Sequence, residues 1–318
     1  GDVASDARYV GLVSGTSSEL AIPLVHKDEV VGVFDLESSE LDHFTERHVK
    51  VLLPLASQVA GAIVNARLYD EIRRTEHRLH RELRIARDVQ HALFPGALPA
   101  GPGWEASAHF RPARELGGDL YDFYDMGEGR LGVATGDVSG KGVPAALYAA
   151  FASGTVRRRA FERRGPADLL RRVNGTLRRR GIEGLFCTLA YAVFDFPDRR
   201  VTVGNSGLPY PLHYRAESGR AELLTVSGLP LGTFDDVDYE ELSVKLAPGD
   251  AFVFFSDGVT EALRGHEEYG VKRLRRALEA HGTRPATELG ERLMADLEGF
   301  VEEETPADDI TLIVVKVL

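Results

Sequence analysis

Residues 65–93 contain neither proline nor glycine, and apolar side chains recur through them at Leu68, Ile72, Leu79, Leu83, Ala86, Val89 and Leu93. That spacing, close to the α-helical period, predicts one long amphipathic helix that Pro95 brings to an end. A rod of this kind holds the residues on its N-terminal side apart from those on its C-terminal side. Its apolar stripe is narrow and calls for a partner, either a second copy in a parallel coiled coil or the helix's own domain; Thr75 and Glu82 weaken the coiled-coil seam. The expectation is a linker over residues 65–94 that makes the chain a dimer.

Before the rod, LAIPLVHKDEVVGVFDL at 20–36 holds two short β-rich runs joined by a polar turn at His26, Lys27, Asp28 and Glu29. Asp42 and Thr45 then precede a helical pattern through Val49, Leu52, Leu53, Ala56 and Val59. A hairpin and a helix are thin for an independent core, so residues 1–64 read as part of a larger domain. After the rod, residues 95–318 form the main domain. Strand-like runs lie at 131–135, 188–195, 201–204, 242–246, 251–256 and 310–317, and helical patterns at 144–161, 167–180, 271–279 and 286–303. Strands often succeed strands directly, which predicts an α+β domain with mostly antiparallel sheet.

Composition narrows the function classes. No apolar run approaches the roughly 20 residues that span a bilayer, and no charged-then-apolar leader opens the chain, so a soluble, cytoplasmic protein is expected. The single cysteine, Cys187, permits neither an intramolecular disulfide nor a cysteine-based zinc site. Acids outnumber basic residues 49 to 38, for a net charge of −11, which disfavours nucleic acid as a general partner. One stretch dissents: residues 157–180 carry ten arginines against Glu162 and Asp168. It reads as two solvated helices or as an electrostatic capture surface for a phosphoprotein.

Several familiar motifs fail on context. GEGRLG at 127–132 leads into a strand instead of opening a helix, so it is a turn and not a dinucleotide loop. GDVSGKG at 136–142 lacks the glycine spacing and the Ser or Thr of a P-loop. Cys187 sits in FCTLAYAVF, a buried-strand pattern, with Val193 where a cysteine-dependent phosphatase needs arginine. There is no G-x-S-x-G elbow. His77 and His80 share a helix face without a third ligand, and read as solvated.

Four aspartates stand apart. Asp119 lies in ELGGDLYD, Asp137 in ATGDVSGKG, Asp257 in FVFFSDGVTEAL and Asp308 in ADDITLIVVKV, each where an apolar strand begins or ends beside a glycine or small residue. A carboxylate at the mouth of a buried strand is costly unless paired or bound to a cation. Several converging at one sheet end would form an oxygen-only site for Mg²⁺ or Mn²⁺. Each taken singly could instead be a turn or cap residue.

GGDLYDF, GDVSGKGVPAAL, GNSGLPYPL, GLPLGTF, FFSDGVTEA and ADDITLIVV occur in this order. Together with ARDVQHALFPGALP ahead of them, they resemble the metal-dependent PPM/PP2C-type serine/threonine phosphatases of the bacterial SpoIIE/RsbU-like branch, over residues 86–318. The resemblance implies an αββα sandwich with two Mn²⁺ or Mg²⁺ ions. It assigns Asp137 as the bridging ligand with the Val138 carbonyl, Asp119 and Asp257 as further ligands, and Asp308, the first acid of its pair with Asp309, as the C-terminal one. It implies hydrolysis by metal-activated water without a phosphoenzyme. Leu208 departs from the pattern, since relatives commonly carry His there. Residues 1–64 resemble the C-terminal half of a GAF domain through SELAIPLVHKDEVVGVFDLES, which implies a sensor acting through the helix. The implied substrate is a regulatory phosphoprotein, an anti-sigma-factor antagonist of the STAS type. Two other classes compete: a catalytically silent sensor or scaffold, which intact acids at all four positions argue against, and a two-metal nuclease, which the acidic balance disfavours.

Overall fold

The computed structural model describes residue 3 and residues 14–99, 101–301 and 306–318. The chain divides into two compact units, Gly1–Glu82 and Leu83–Leu318.

In the first unit, β1 (Ser18–His26) and β2 (Glu29–Ser38) form the expected antiparallel hairpin. Ile22 and Leu24 of β1 are buried with Ala56 and Ala60 of helix α1 (Glu46–His91), and Leu52, Val59 and Ile63 pack around them. The two helices expected on either side of residue 64 are one 46-residue helix with Pro54 inside it. Nothing in Val64, Asn65 or Ala66 breaks a helix, so the pattern simply continues. The helix stops at His91, four residues before Pro95, in a tightened turn where Leu93 N–H donates to Gln90 O at 3.0 Å and Phe94 N–H to His91 O at 3.2 Å. Against the expectation of no sufficiently apolar run, α1 contains an 18-residue window of mean hydropathy 1.5, long and apolar enough by composition to cross a membrane. In this structure 11% of that window is buried, and Ala56 and Ala60 of the helix pack against the hairpin.

The second unit continues through β3 (Trp104–Arg111), β4 (Leu120–Gly127), β5 (Arg130–Val138), α2 (Val143–Ala160), α3 (Pro166–Arg179), β6 (Cys187–Asp195) and β7 (Arg200–Asn205). Then come β8 (Leu212–Arg215), β9 (Arg220–Leu223), β10 (Glu241–Lys245), β11 (Ala251–Phe255) and the single turn α4 (Asp257–Thr260). A two-residue ribbon, β12 (Leu263–Arg264) and β13 (Glu267–Glu268), precedes α5 (Gly270–His281), α6 (Ala286–Val301) and β14 (Ile310–Val317). The strands make two five-stranded sheets, ordered β10-β7-β6-β5-β4 and β3-β14-β11-β8-β9, with every pairing antiparallel.

Three buried clusters define the layers. One lies between the sheets and includes Leu131, Val133, Phe194, Phe252, Phe254 and Ile313. A second joins the outer face of the first sheet to α2 and α3, and a third joins the outer face of the second sheet to α5 and α6. The domain is therefore the expected αββα sandwich. Small residues on the inner face of α2, Ala145, Ala149, Ala152 and Ala160, let that helix lie close on its sheet. Cys187 opens β6 fully buried, and burial followed by the charges of Asp137 and Asp119 pushes its thiol far above the ordinary range, so it is an inert packing residue.

Candidate active site

Strand alternation decides where the acids point. On β5, Leu131 and Val133 face the intersheet core while Ala134 and Val138 face the helices, so Asp137 shares the intersheet parity at the strand's final turn. β4 pairs with it, Leu120 opposite Gly136, and brings Asp119 to the same sheet end. In the second sheet, Phe255 at the end of β11 is opposite Leu312 near the start of β14. Asp257 comes just after the first of these strands and Asp308 just before the second, again at one end. Each sheet thus delivers two of the four sequence-predicted aspartates, and they act on one another.

Burial, and then the charge of Asp137, holds Asp119 well above the usual carboxylate range, while hydrogen bonds from Thr311 and Ser256 work the other way. Burial followed by the charges of Asp257 and Asp308 pushes Asp137 up to about 7. Asp257 is raised by burial and then by Asp308. Such crowding of partly buried negative charge is a functional signature, since a structural ion-pair network would match each acid to a cation. The described arrangement offers one local cation: Lys141 Nζ lies 2.8 Å from Asp308 Oδ2 and donates to the Ala307 carbonyl at 2.6 Å.

The donors are oxygen only, carboxylates and the Val138 carbonyl, which suits a hard divalent ion. Among the described residues, no three His, Cys, Asp or Glu side chains form a ready-made coordination shell. Asp308 is held by Lys141, and Thr311 Oγ1 donates to Asp119 Oδ2. The donor chemistry fits such an ion once Asp308 exchanges its ammonium partner for it.

The glycines before Asp119 are there for close approach. A Cβ on Gly118 would stand 2.7 Å from the Val138 carbonyl oxygen and 3.1 Å from Asp137 Oδ1, so only a bare backbone lets the two strand ends meet. The sequence had favoured Asp308 over Asp309; the structure gives Asp309 separate work. Its carboxylate accepts from the backbone N–H groups of Ala113 at 2.8 Å, Gly118 at 2.6 Å and Asp119 at 3.5 Å. Asp309 therefore anchors the loop that carries Asp119. Parity with Thr311 and Ile313 on β14 was the available signal. Lys141, Thr311 and Gln90 were also missed, because each meets its partner across a long sequence separation.

A cleft of about 630 Å³ is lined by Lys141, Gly258 and Asp308 together with Arg111, Leu263 and Glu298. Its size suits a peptide side chain and its flanks. Leu208 is buried in the intersheet core, and Asn205 closes its loop by hydrogen bonds of 2.9 Å and 2.8 Å to its backbone N–H and carbonyl. The side chain contributes packing to the intersheet core. His77 and His80 are exposed on α1.

The arginine-rich segment is α2's last turn and α3, and acids from elsewhere answer much of its charge. Arg157 lies 2.7 Å from the buried Asp122, Arg163 3.6 Å from Glu128, Arg171 3.7 Å from Asp238 and Arg178 3.2 Å from Asp235. The local excess seen along the sequence is thus smaller in space. Arg158 and Arg180 still line a groove of about 450 Å³ with Phe151 and Thr155.

Comparison with known proteins agrees with this layout. Residues 127–318 match the family of Stage II sporulation protein E (SpoIIE), and residues 2–64 match the GAF domain. Phosphoserine phosphatase RsbU of Bacillus subtilis is 27% identical over 248 residues, 78% of this chain and 73% of that protein. Phosphoserine phosphatase RsbP of the same organism is 24% identical over 74% of this chain and 58% of its own length. The SiaA PP2C domain of Pseudomonas aeruginosa superposes with a TM-score of 0.68 at 21% identity, covering 77% of this chain and 99% of that one. A structure of the PP2C phosphatase domain with a regulatory fragment of Bacillus subtilis SpoIIE gives 0.59 at 19%, over 67% and 63%.

Proposed function

We propose, from the premise that this chain belongs to the SpoIIE family of PPM-type protein phosphatases, that it hydrolyses phosphoserine or phosphothreonine on a regulatory phosphoprotein. The observation that carries the proposal is the meeting of Asp119, Asp137, Asp257 and Asp308 at one end of the two sheets, in mutual electrostatic contact. Asp137 would bridge two Mn²⁺ or Mg²⁺ ions, with the Val138 carbonyl, Asp119, Asp257 and Asp308 completing their shells. Bound there, the ions would lower the pKa of a water molecule and neutralise charge on the phosphoryl oxygens.

The chain's own residues supply the rest. Thr311 and Asp309 fix Asp119, one through its carboxylate and the other through its backbone. Lys141, half exposed beside Asp308 in the lining of the cleft, would offer its ammonium to the anionic phosphoryl group. The cleft beyond it would take the polypeptide flanking the phosphoserine. The resemblance to the RsbU-like branch implies an antagonist of an anti-sigma factor, of the STAS type, as the partner; the groove holding Arg158 and Arg180 is a candidate surface for it. The GAF-like unit would act as the sensor. A buried, unreactive Cys187 is compatible with the cytoplasm, where we place the reaction.

Phosphate release from a phosphoserine protein is expected to require Mn²⁺ or Mg²⁺ and to fall to background after chelation. An inactive wild-type chain with either ion would favour the silent scaffold.

The linker would pair with a second copy. Leu68, Ile72 and Leu79 of α1 are 51%, 58% and 53% exposed along one side of the first unit's helix, the positions a parallel coiled coil would bury. Light scattering of the intact chain is expected to give a dimer, and a monomer at high concentration would remove this part of the proposal.

A further inference from the structure

Gln90 lies in the last turn of α1, on the part that belongs to the second unit, and is only 8% exposed. Its side-chain amide pairs with both backbone polar groups of one residue, as a neighbouring strand would. Nε2 donates to the Gly117 carbonyl at 2.7 Å, and Gly117 N–H donates to Oε1 at 3.2 Å. Gly117 is two residues before Asp119. On its other side a Cβ would stand 2.4 Å from the Asp309 carboxylate, which takes the next two N–H groups. The segment 117–119 is thus gripped between Gln90 and Asp309. Next to this grip, Phe94 stacks on Tyr121 at 4.8 Å between ring centroids and packs on Phe110 at 4.6 Å. The end of α1 is therefore seated by aromatic contacts and registered by a polar one.

We propose that Gln90 is a positioning residue for the metal site, the contact through which the end of α1 sets the 117–119 loop and with it the Asp119 carboxylate. The inference rests on Asp119 being a metal ligand. The chemistry requires glutamine: an apolar side chain loses both bonds, and asparagine is one methylene too short to reach both atoms from the same helix position. A buried peptide group stripped of its partners seeks others, so the loop relaxes. A rotation or slide of α1 at Gln90 would reach Asp119 in the same way, which gives the helix a physical route to the metal site.

The test compares wild type, Gln90→Ala and the similar-sized Gln90→Met as full chains. Hydrogen exchange on metal-free protein reads the loop directly, and calorimetric titration with Mn²⁺ alone reads the site. Both variants are expected to exchange the 117–119 amides faster and to bind Mn²⁺ about tenfold more weakly, with activity recovered at saturating Mn²⁺, as for the outer supports of metal ligands. Gln90→Met keeps the packing volume should Gln90→Ala fold poorly. A lower melting temperature with an unchanged Mn²⁺ midpoint would show a merely structural role and overturn the proposal. Asp119→Asn separates the premise from the inference. If it weakens Mn²⁺ binding and Gln90→Met does not, the clamp is refuted; if neither weakens it, the ligand assignment has failed and the proposal falls with it.

Discussion

Asp137→Asn is expected to lower phosphatase kcat by about a thousandfold or more while raising the melting temperature of the metal-free protein. The loss comes from the position of Asp137 at the centre of the acid cluster, where it would join both ions; losing several kcal/mol of transition-state charge stabilisation is roughly a factor of ten for each 1.4 kcal/mol. The gain comes from the same crowding. Burial and the charges of Asp257 and Asp308 oppose ionisation of Asp137, so without a cation its carboxylate stores repulsion that an amide of the same shape removes. Relief of roughly 1–2 kcal/mol would raise the melting temperature by about 2–8 °C for a domain of this size. Melting in chelator at neutral pH checks the first half of that argument, and Mn²⁺ should narrow or reverse the difference by stabilising only the wild type. Retained activity would show that the bridging role lies elsewhere. A variant that melts lower without metal would show that Asp137 makes a structural bond instead of storing repulsion.

What could be read along the chain was local and periodic. The ends of β5, β11 and β14 were visible because their apolar runs stop at an aspartate beside a small residue, and those three acids and Asp119 do meet. β4 was missed because LYDFYDMG places Asp122 inside a strand; its charge is answered by Arg157, which comes from α2. β8 and β9 are four residues each and carry charged ends, too short for alternation to stand out. The arginine segment looked more isolated than it is, since Glu128, Asp235 and Asp238 approach it from other segments. The supports of the site were the least legible part. Asp309 meets Gly118 from 191 positions away and Gln90 meets Gly117 from 27, and both hold backbone, which leaves no complementary side chain in the sequence to search for. The proposed metal ligands are recognisable by residue type, whereas their positioning depends on contacts that exist only after folding.

Gly258→Ala is the complementary case, in which shape is changed and charge is left alone. Gly258 is the second residue of α4, directly after Asp257, and a Cβ there would stand 2.0 Å from the Asp309 carbonyl oxygen and 2.9 Å from its carbon. Both clashing atoms are backbone, and they cannot swing aside as a side chain would. The same two segments are bound to each other: Ser256 Oγ donates to Asp309 O at 3.2 Å, and Thr311 N–H donates back to Ser256 Oγ at 3.0 Å. A methyl group would have to part them, breaking those bonds and moving Asp257 away from Asp308. Overpacking against rigid backbone costs about 3 kcal/mol or more, a fall of roughly 6–12 °C in melting temperature at this size. Activity should drop by at least about a hundredfold, since an ångström of displacement at a reacting centre costs that much. Gly299→Ala is the control, because Gly299 lies exposed on α6 with nothing within 4 Å of its Cβ position, and helix propensity alone should stabilise it by up to about 1 kcal/mol. If Gly258→Ala melts like Gly299→Ala, the close approach of the two segments is wrong. If it melts low but retains full activity, Asp257 does not need its place beside Asp308, and the pairing of acids across the second sheet loses its functional meaning. Asp137→Asn is expected to be inactive and stabilised, and Gly258→Ala inactive and destabilised; only a site held together by backbone packing against its own charge repulsion gives both results.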